Sequence, residues 1–565
     1  MTGSGKREAG SGMRNAECGK RKAGSGKRKA ESGFKTSHFY LLILHFLLTI
    51  LLSISSRPPA FDVVIINGRI VDGTGNPWYR ADIGIKNGEI VFIGRFDSGL
   101  LDRTTIVIDA GDQVVSPGFI DVHTHIEQDE IRNPTADNFI YDGVTTVITG
   151  NCGDSHVDID NYFRLLDSLK MSVNVATLIG HNDVRKQVMG TENRLAREAE
   201  LKQMEALVEK AMKDGAVGLS TGLIYVPGTF APSDEIIRLA QVAARYEGIY
   251  ATHMRNESDS VVEAINESLM ISKAAKIPLQ ISHFKVGGQP VPGKSRRTLA
   301  MIVAAREEGI DVTIDQYPYT ASSTSLSSLL PSEILTGNAD SIRIRLSNST
   351  LRKAVISTML RKLKQRGKAH YDFAVVTRYA FDSTLNGKSI AQINKLKKRP
   401  HTAEKEAETI LEMMIHGGAG MVFHGMWEED IRNIIKYPFN MIGSDASIRV
   451  FGEGHPHPRG YGSNARFLAK YVRETNLVSL EEGVRRMTSL PANRFSLGRR
   501  GLIAKGYVAD IVVFDDNTIQ DNSTYEKPHA YSSGISTVLV NGRLVIRDSK
   551  HTGARPGTVV RRSRS

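Results

Sequence analysis

The stretch Tyr250-Ala-Thr-His253, the helically spaced segment Ser258–Ala275 and the stretch Leu279-Gln-Ile-Ser-His283 decide the fold of this chain. The first and last are short apolar runs typical of buried strands, and the segment between them has the apolar spacing of a helix. A strand, a helix and a second strand in this order form a parallel βαβ unit. Both strands end in a histidine, which places two imidazoles at the same edge of the predicted sheet.

The same alternation extends over about residues 115–495. Seven or more such units favour a closed (β/α)₈ TIM-like barrel over an open sheet, and we assign it to residues 117–496. Residues 332–415 break the alternation with polar helical stretches rich in Lys and Arg, which predicts an insertion over the barrel mouth. The other strand candidates are Val144–Ile148, Val173–Ile179, Val217–Ser220, Val312–Asp315 and Met441–Asp445, and the other helix candidates are Ala196–Lys213, Asp234–Tyr246 and Leu299–Glu308.

Short β-branched segments with Asn-Gly turns occupy both ends of the folded region. Residues 61–116 contain the pairs Asn67-Gly68 and Asn87-Gly88, and residues 497–550 contain Asn541-Gly542. Asn-Gly between apolar alternations is a strong hairpin signal. We expect the two segments to form one small β-sandwich domain.

The net charge of +12 lies in the ends of the chain. Residues 1–38 carry a net charge of +7 and residues 549–565 a net charge of +5, so the sequence between them is neutral. Binding to nucleic acid needs basic residues on the folded body, and this distribution argues against it. The Gly/Ser/Lys composition of residues 1–38 predicts a disordered leader, and residues 551–565 form a second basic tail.

Residues 39–56 are the one hydrophobic segment of membrane-protein character. Its apolar run, residues 39–54, follows the basic leader, as in an export signal or a single membrane anchor. We expect an exported or membrane-anchored protein, with a cytoplasmic location as the alternative if the leader is a mis-assigned start.

Residues of metal-binding type follow the predicted strands. In a barrel the carboxyl ends of the strands converge on the active-site face. Each residue alone has a structural explanation: a buried histidine, a small core cysteine or a helix cap. Together they form a donor set suited to one or two Zn²⁺ ions with a carboxylate to move protons. They are His123, His125, Cys152, His253, His283 and Asp445.

The same residues lie in motifs that resemble the amidohydrolase superfamily. Pro117-Gly-Phe-Ile-Asp-Val-His-Thr-His125 is similar to the superfamily's metal-binding strand. Gly150-Asn-Cys-Gly153 resembles its D-aminoacylase branch, the N-acyl-D-amino-acid deacylases, because most relatives have a carboxylated Lys where this branch has Cys. The resemblance extends from about residue 61 to residue 557.

The resemblance implies a role for each site residue. Cys152, His253 and His283 resemble the ligands of a tightly held zinc, and His123 and His125 those of a weaker second position. Asp445 resembles the general acid and base, which also lies near the metal. The positions implied to hold the substrate's α-carboxylate or scissile carbonyl are Tyr225, Lys285, Tyr317 and Arg459. The other histidines of the region, His156, His181, His424, His455 and His457, keep a structural interpretation.

The expected activity is zinc-dependent hydrolysis of small N-acyl-D-amino acids. Three alternatives remain at this stage: a D-dipeptidase, a cyclic amidase of the hydantoinase or dihydropyrimidinase type, and a non-catalytic barrel that binds a partner. A peptide is also an N-acyl amino acid, so sequence alone does not separate the first alternative. Cys152 argues against the cyclic amidases, and the complete donor set argues against a scaffold.

Overall fold

The computed structural model describes residues 61–96, 104–288, 291 and 293–563. The predicted leader, residues 1–38, and the hydrophobic segment, residues 39–56, lie outside these ranges. Within them, no helix combines the length and the apolar composition that a membrane crossing requires.

The strands follow the alternation seen in the sequence. They are β1 Val63–Ile70, β2 Tyr79–Lys86, β3 Glu89–Gly94, β4 Ile106–Asp109, β5 Val114–Pro117, β6 Phe119–Asp121, β7 Val144–Thr149, β8 Asn174–Thr177, β9 Ile179–Gly180, β10 Gly218–Gly222, β11 Ile249–His253, β12 Leu279–Ile281, β13 Val312–Gln316, β14 Ala321–Ser325, β15 Ala374–Arg378, β16 Gly420–His424, β17 Asn440–Ile442, β18 Ile511–Phe514, β19 Ile535–Val540, β20 Arg543–Arg547 and β21 Lys550–His551.

The helices fill the intervals between strands and form the subdomain over the barrel. They are α1 Asp129–Arg132, α2 Asp137–Ile140, α3 Ile159–Leu169, α4 His181–Met189, α5 Glu198–Asp214, α6 Ser233–Ala244, α7 Val261–Ala275, α8 Lys294–Glu307, α9 Ala339–Ser347, α10 Ser349–Gln365, α11 Ile390–Leu396, α12 Ala403–Ile415, α13 Glu428–Ile435, α14 Arg459–Arg466, α15 Leu480–Met487 and α16 Ser489–Arg494, with a π-helix at Phe467–Glu474.

The barrel is built from parallel strands in the order β6, β7, β8 with β9, β10, β11, β12, β13 and β17. Strands β8 and β9 form one staggered position, because β8 pairs with β7 and β9 pairs with β10. Thr124 and Ala446 form a parallel bridge between the segments that follow β6 and β17. Two backbone bonds flank it: His125 N donates to Ala446 O at 2.9 Å and Asp445 N donates to His123 O at 2.8 Å. These contacts close the predicted barrel and bring its first and last strands together at the metal-type residues.

The two ends of the folded region assemble into one nine-stranded sheet, where the sequence predicts a β-sandwich. Strand β18 from the C-terminal segment pairs antiparallel with β5 from the N-terminal segment. Alternate residues of β18 face two cores: Ile511 and Val513 pack within the sheet domain, and Val512 and Phe514 pack against the barrel. Continuous pairing from β21 to β3 makes this a single sheet with a core on each face.

The insertion is larger than the predicted residues 332–415. It begins at β14 and ends at β16, and these strands form a three-stranded antiparallel sheet with β15. Helices α9–α12 pack on this sheet around a separate hydrophobic core that includes Leu346, Ile410 and Phe423. The sequence of β14, Ala-Ser-Ser-Thr-Ser, has none of the large apolar residues that mark a strand, which explains why the prediction missed it.

The basic C-terminal segment packs along the barrel as far as residue 563. Val560 is buried and donates its backbone N–H to Val175 O at 2.8 Å. Arg562 pairs with Glu247 at 2.9 Å, and the Arg561 guanidinium lies 4.9 Å from the Phe163 ring. Part of the positive charge that the sequence assigns to a tail is therefore fixed against the folded body.

Candidate metal centre and active site

The metal-type residues converge where the barrel strands end. His123 and His125 follow β6, Cys152 follows β7, His253 ends β11, and His283 follows β12. Asp445 follows β17, beside the first strand because the barrel is closed. The carboxyl ends of parallel strands meet at one face, so residues 322 positions apart in sequence share one site.

Cys152 lies at the centre of the histidines. Its Sγ is 3.3 Å from His123 Nε2, 3.4 Å from His283 Nε2 and 3.7 Å from His253 Nδ1. The donor atoms of Cys152, His253 and His283 all lie within 4.8 Å of one another, as do those of His123, His125 and Cys152. A third group of the same compactness joins His123, His283 and Asp445. Thiolate and imidazole donors at this spacing are ligands for a transition metal such as zinc.

The backbone at the site adopts conformations that non-glycine residues rarely take. Cys152, His283 and Asp445 have φ angles of 54°, 35° and 53°, in the left-handed region. Such conformations cost about 1–3 kcal/mol each and persist where the surrounding structure over-determines them. Gly222 at the end of β10 supports Cys152 closely, since a Cβ there would overlap the Cys152 carbonyl oxygen. The strained backbone at these positions directs the three side chains towards a single site.

Asp445 connects the histidines to a buried arginine. Its Oδ1 lies 3.3 Å from His125 Nε2 and 3.8 Å from His123 Nε2, and its Oδ2 lies 2.9 Å from the Arg459 Nη1. Burial alone raises the pKa of the Asp445 carboxyl, but Arg459 and the histidines outweigh it and lower the pKa well below its usual range. Asp445 is consequently ionised at neutral pH and able to accept a proton.

The pKa of the Cys152 thiol shifts in the opposite direction to that of Asp445. Burial raises the pKa of the thiol well above its usual range, and the nearby carboxylates of Asp445 and Asp154 add to the effect. Burial also lowers the pKa of His253, which keeps its imidazole neutral. Neutral imidazoles can bind a metal directly. The Cys152 thiol becomes a thiolate at neutral pH when the positive charge of a metal ion lies beside it.

Two carboxylates behind the histidines were not identified from the sequence. Asp315, near the end of β13, accepts the backbone N–H of His283 at 2.8 Å and lies 3.4 Å from the His123 ring nitrogen Nδ1. Glu257 lies 3.0 Å from His283 Nδ1 and 3.6 Å from His253 Nε2. Both carboxylates orient the imidazoles, as partners of metal-bound histidines commonly do. Asp315 could have been found, because it ends a strand as the ligands do; Glu257 follows His253 in a loop and carries no such signal.

Lys285 lies beside the candidate metal centre and lines the adjoining cavity. Its Nζ donates to Glu257 Oε1 at 2.7 Å and lies 2.7 Å from His283 Nδ1. In this arrangement the ammonium group neutralises Glu257 and fixes the His283 ring, so its charge is already matched.

The other three expected substrate-binding residues surround the centre. The Tyr225 ring lies 4.9 Å from the His253 ring, and its hydroxyl contacts Thr324 Oγ1 at 3.0 Å. The Arg459 guanidinium lies 4.6 Å from the Tyr317 ring. Among the described residues, the buried Tyr317 hydroxyl and the Arg459 Nε have no hydrogen-bond partner, whereas the Arg459 Nη1 is paired with Asp445. These unpaired donors suit an anionic ligand.

Two of the remaining histidines, His457 and His181, have hydrogen-bond partners that account for their burial. His457 is buried, contacts Ala321 O at 2.9 Å through Nε2 and accepts the Arg459 N–H at 2.9 Å through Nδ1. It thereby positions the residue that pairs with Asp445. His181, directly after β9, pairs with Glu235 at 2.8 Å.

Comparison with known proteins agrees with this geometry. The model of the amidohydrolase family matches residues 106–546 of this chain. The chain belongs to the amidohydrolase family. Residues 52–115 also match the model of the urease alpha-subunit N-terminal domain.

Within the amidohydrolases the chain belongs to the D-aminoacylase branch. It is 33% identical to the D-aminoacylase of Alcaligenes xylosoxydans xylosoxydans over 526 residues, 89% of this chain and 98% of that protein. It is 34% identical to the N-acyl-D-glutamate deacylase of the same organism, over 89% of this chain and 97% of that protein. The structure of N-acyl-D-glutamate deacylase from Bordetella bronchiseptica, complexed with zinc and a phosphonate inhibitor, superimposes with a TM-score of 0.75. Identity to it is 33%, covering 89% of this chain and 100% of that chain.

Proposed function

We propose that this protein uses zinc to hydrolyse the amide bond of N-acyl-D-amino acids, giving a carboxylic acid and a free D-amino acid. The observation that carries the proposal is the buried group of Cys152, His253 and His283 with an ionised Asp445 beside it. Full-length relatives named D-aminoacylase and N-acyl-D-glutamate deacylase support it.

The donor geometry fits zinc. Zinc–sulfur and zinc–nitrogen bonds of about 2.3 and 2.0–2.1 Å in a tetrahedron put ligand atoms roughly 3.5 Å apart. The distances from Cys152 Sγ to the nearest nitrogens of His123, His253 and His283 are 3.3–3.7 Å. We assign the tighter position to Cys152, His253 and His283. A weaker second position is assigned to His123 and His125 beside Asp445. A zinc ion held by Cys152, His253 and His283 would polarise the scissile carbonyl and lower the pKa of bound water.

Asp445 moves the protons of the reaction. It accepts a proton from the attacking water at its Oδ1, the oxygen that faces His123 and His125, and returns the proton to the departing nitrogen. Arg459 holds Asp445 Oδ2 at 2.9 Å, so only the first oxygen is directed at the histidines. The low pKa set by Arg459 keeps Asp445 in the basic form before each turnover.

The residues around the centre bind the substrate. Arg459 and Tyr317 have unpaired donors, and we assign them to the α-carboxylate. Tyr225 presents its hydroxyl from the side of His253 and is placed to donate to the scissile carbonyl. Lys285 lines the same side of the site and holds Glu257 in place at 2.7 Å.

The leader has a proposed role of its own. The apolar residues 39–54 after a basic segment support export or membrane anchoring. Fractionation of cells that express the full chain, beside a variant starting at residue 57, tests this. Recovery of both proteins in the same soluble cytoplasmic fraction would reject it.

The activity is tested on three substrate classes with one preparation. The full chain is stripped with a chelator, reloaded with zinc and assayed on N-acetyl-D-leucine, a D-dipeptide and a cyclic diamide such as dihydrouracil. The proposal expects zinc-dependent turnover of N-acetyl-D-leucine. Preference for the D-dipeptide would make the protein a dipeptidase, and opening of the cyclic diamide alone, or no turnover, would overturn the proposal.

A further inference from the structure

A cavity of about 720 Å³ lies beside the candidate metal centre and is shared by the barrel and the insertion. Tyr225, Glu257 and Lys285 line it on the barrel side, and Glu257 and Lys285 are the residues that contact His283. On the other side it is lined by β14, the end of α10 and the segment after β16. Any substrate part that extends from the centre into this cavity therefore meets the insertion.

The wall formed by the insertion is positively charged. Lys362, Arg366 and Lys368, from the last turn of α10 and the residues after it, line the cavity. None of the three forms an ion pair with a carboxylate of the described residues. Lys362 and Arg366 are four residues apart, so they project from the same face of the helix.

Cations at the end of a helix have a general explanation, because they stabilise the partial negative charge of its last carbonyls. That explanation does not require them to face a cavity. Lys353, Arg361 and Lys364 on the same helix do not line it. Burial lowers the pKa of Arg366, and burial together with neighbouring Arg366 lowers the pKa of Lys362. Arg366 is partly buried, and the exposed Lys362 lies close enough for the two cations to repel each other.

The acidic groups facing the wall do not neutralise it. Asp259 raises the pKa of Arg366 and Glu333 raises that of Lys362, but neither carboxylate comes within ion-pair distance. Glu257 is matched by Lys285 at 2.7 Å, and Arg255 on the opposite wall is matched by Glu267 at 3.0 Å. The cavity is left with an excess of positive charge on the insertion side.

The same cavity is rich in hydroxyl groups. Its lining includes Ser258, Ser322, Ser325, Ser327, Ser328 and Ser332. Hydroxyls and cations together donate hydrogen bonds to an anion, whereas an unbranched apolar acyl chain needs neither. The lining thus has the chemistry of a site for a carboxylate.

We propose that Lys362, Arg366 and Lys368 form a subsite for a second carboxylate of the substrate, in addition to its α-carboxylate. The inference rests on the proposed amide hydrolysis and narrows its substrate class to dianionic N-acyl-D-amino acids. The second carboxylate belongs to an acidic D-side chain or to a dicarboxylic acyl group, and both present the same chemistry to the wall.

The test compares kcat/KM of the zinc-loaded full chain on N-acetyl-D-glutamate, N-succinyl-D-leucine and N-acetyl-D-leucine. In the wild-type protein we expect a higher kcat/KM on a dianionic substrate than on the monoanionic one, so that their ratio exceeds one. This ratio falls about tenfold in the double variant Lys362→Gln/Lys368→Gln, because loss of the ion pairs to the second carboxylate lowers kcat/KM on the dianionic substrate by about one order of magnitude. Both side chains are exposed, so this variant leaves the partly buried Arg366 in place.

Lys353→Gln/Lys364→Gln is the matched control, because it removes two cations from the same helix away from the cavity. An unchanged ratio in the control and a lowered ratio in the cavity variant supports the subsite. The substrate whose ratio falls identifies the source of the carboxylate. A wild-type ratio of one or less, or equal changes of the ratio in the two double variants, overturns the subsite. If N-acetyl-D-leucine is still hydrolysed in that case, the proposed function stands. No turnover of any of the three overturns both.

Discussion

Replacing Asp445 by Asn removes the charge of the proposed acid and base while keeping its shape. In the structure the carboxylate lies 3.3 Å from His125 and 2.9 Å from Arg459, and its lowered pKa keeps it ionised. General acid–base catalysis contributes about 10²–10⁴-fold to rate. Because one residue serves both proton transfers, we expect kcat to fall by about 10⁴-fold, which corresponds to about 5.4 kcal/mol in activation free energy.

The same substitution has a separate structural effect. Arg459 is 5% exposed and loses its partner. Breaking a buried ion pair costs about 3–5 kcal/mol in the free energy of unfolding. Urea unfolding of the Asp445→Asn variant measures this loss. The ligands Cys152, His253 and His283 are untouched, so elemental analysis is expected to find the tight zinc still bound.

The assay follows release of free D-amino acid under saturating substrate, with zinc content measured on the same samples. Asp340→Asn, whose side chain is 72% exposed on the insertion, is the matched control and is expected to retain wild-type kcat. If folded, zinc-loaded Asp445→Asn keeps more than a tenth of wild-type kcat, Asp445 is not the acid and base. If it loses zinc along with activity, the residue holds the metal and the assignment of the tight ligands is wrong.

Three further predictions concern metal binding and stability. Cys152→Ser is expected to purify without the tight zinc, since the central sulfur is lost, and retention of a full zinc equivalent by elemental analysis would contradict the ligand set. Glu257→Gln releases the His283 ring and is expected to weaken zinc affinity about 10–100-fold in a competition titration with a chelator, and unchanged affinity would show that Glu257 does not orient it. Glu235→Gln leaves fully buried Arg185, now paired at 2.5 Å, without a carboxylate, and is expected to lower the free energy of unfolding by about 3–5 kcal/mol in denaturant; a change below 1 kcal/mol would refute this.

The barrel was predictable because its signal is local. The alternation of apolar strands with helices and the histidines at strand ends are visible in single segments, and Ser258–Ala275 appears as α7, beginning at Val261. Closure of the barrel is not local. It depends on contact between Thr124 and Ala446, and no segment of the sequence contains that pairing. The three-stranded sheet of the insertion was missed since β14 is built from small polar residues.

At the site, the metal-type donor residues were predictable from the sequence. The backbone conformations and the carboxylate that position them were not. Cys152 and Asp445 have left-handed backbone, and neither residue type requires that conformation, so the sequence does not predict it. Glu257 looks like an ordinary surface acid in sequence, yet it contacts Lys285 and two ligand histidines. The position of Lys285 beside His283 depends on Glu257 as well, which it contacts at 2.7 Å.

The central claim is that a metal centre in this barrel hydrolyses N-acyl-D-amino acids. The most direct measurement is the initial rate of the zinc-loaded full chain on N-acetyl-D-leucine and N-acetyl-L-leucine, and on the D and L forms of N-acetylglutamate, with the released amino acid identified by chiral chromatography. The account predicts release of the D-amino acid from the D substrates and loss of that activity on chelation. Turnover of the L substrates alone, or turnover of the D substrates that survives complete removal of zinc, would contradict it.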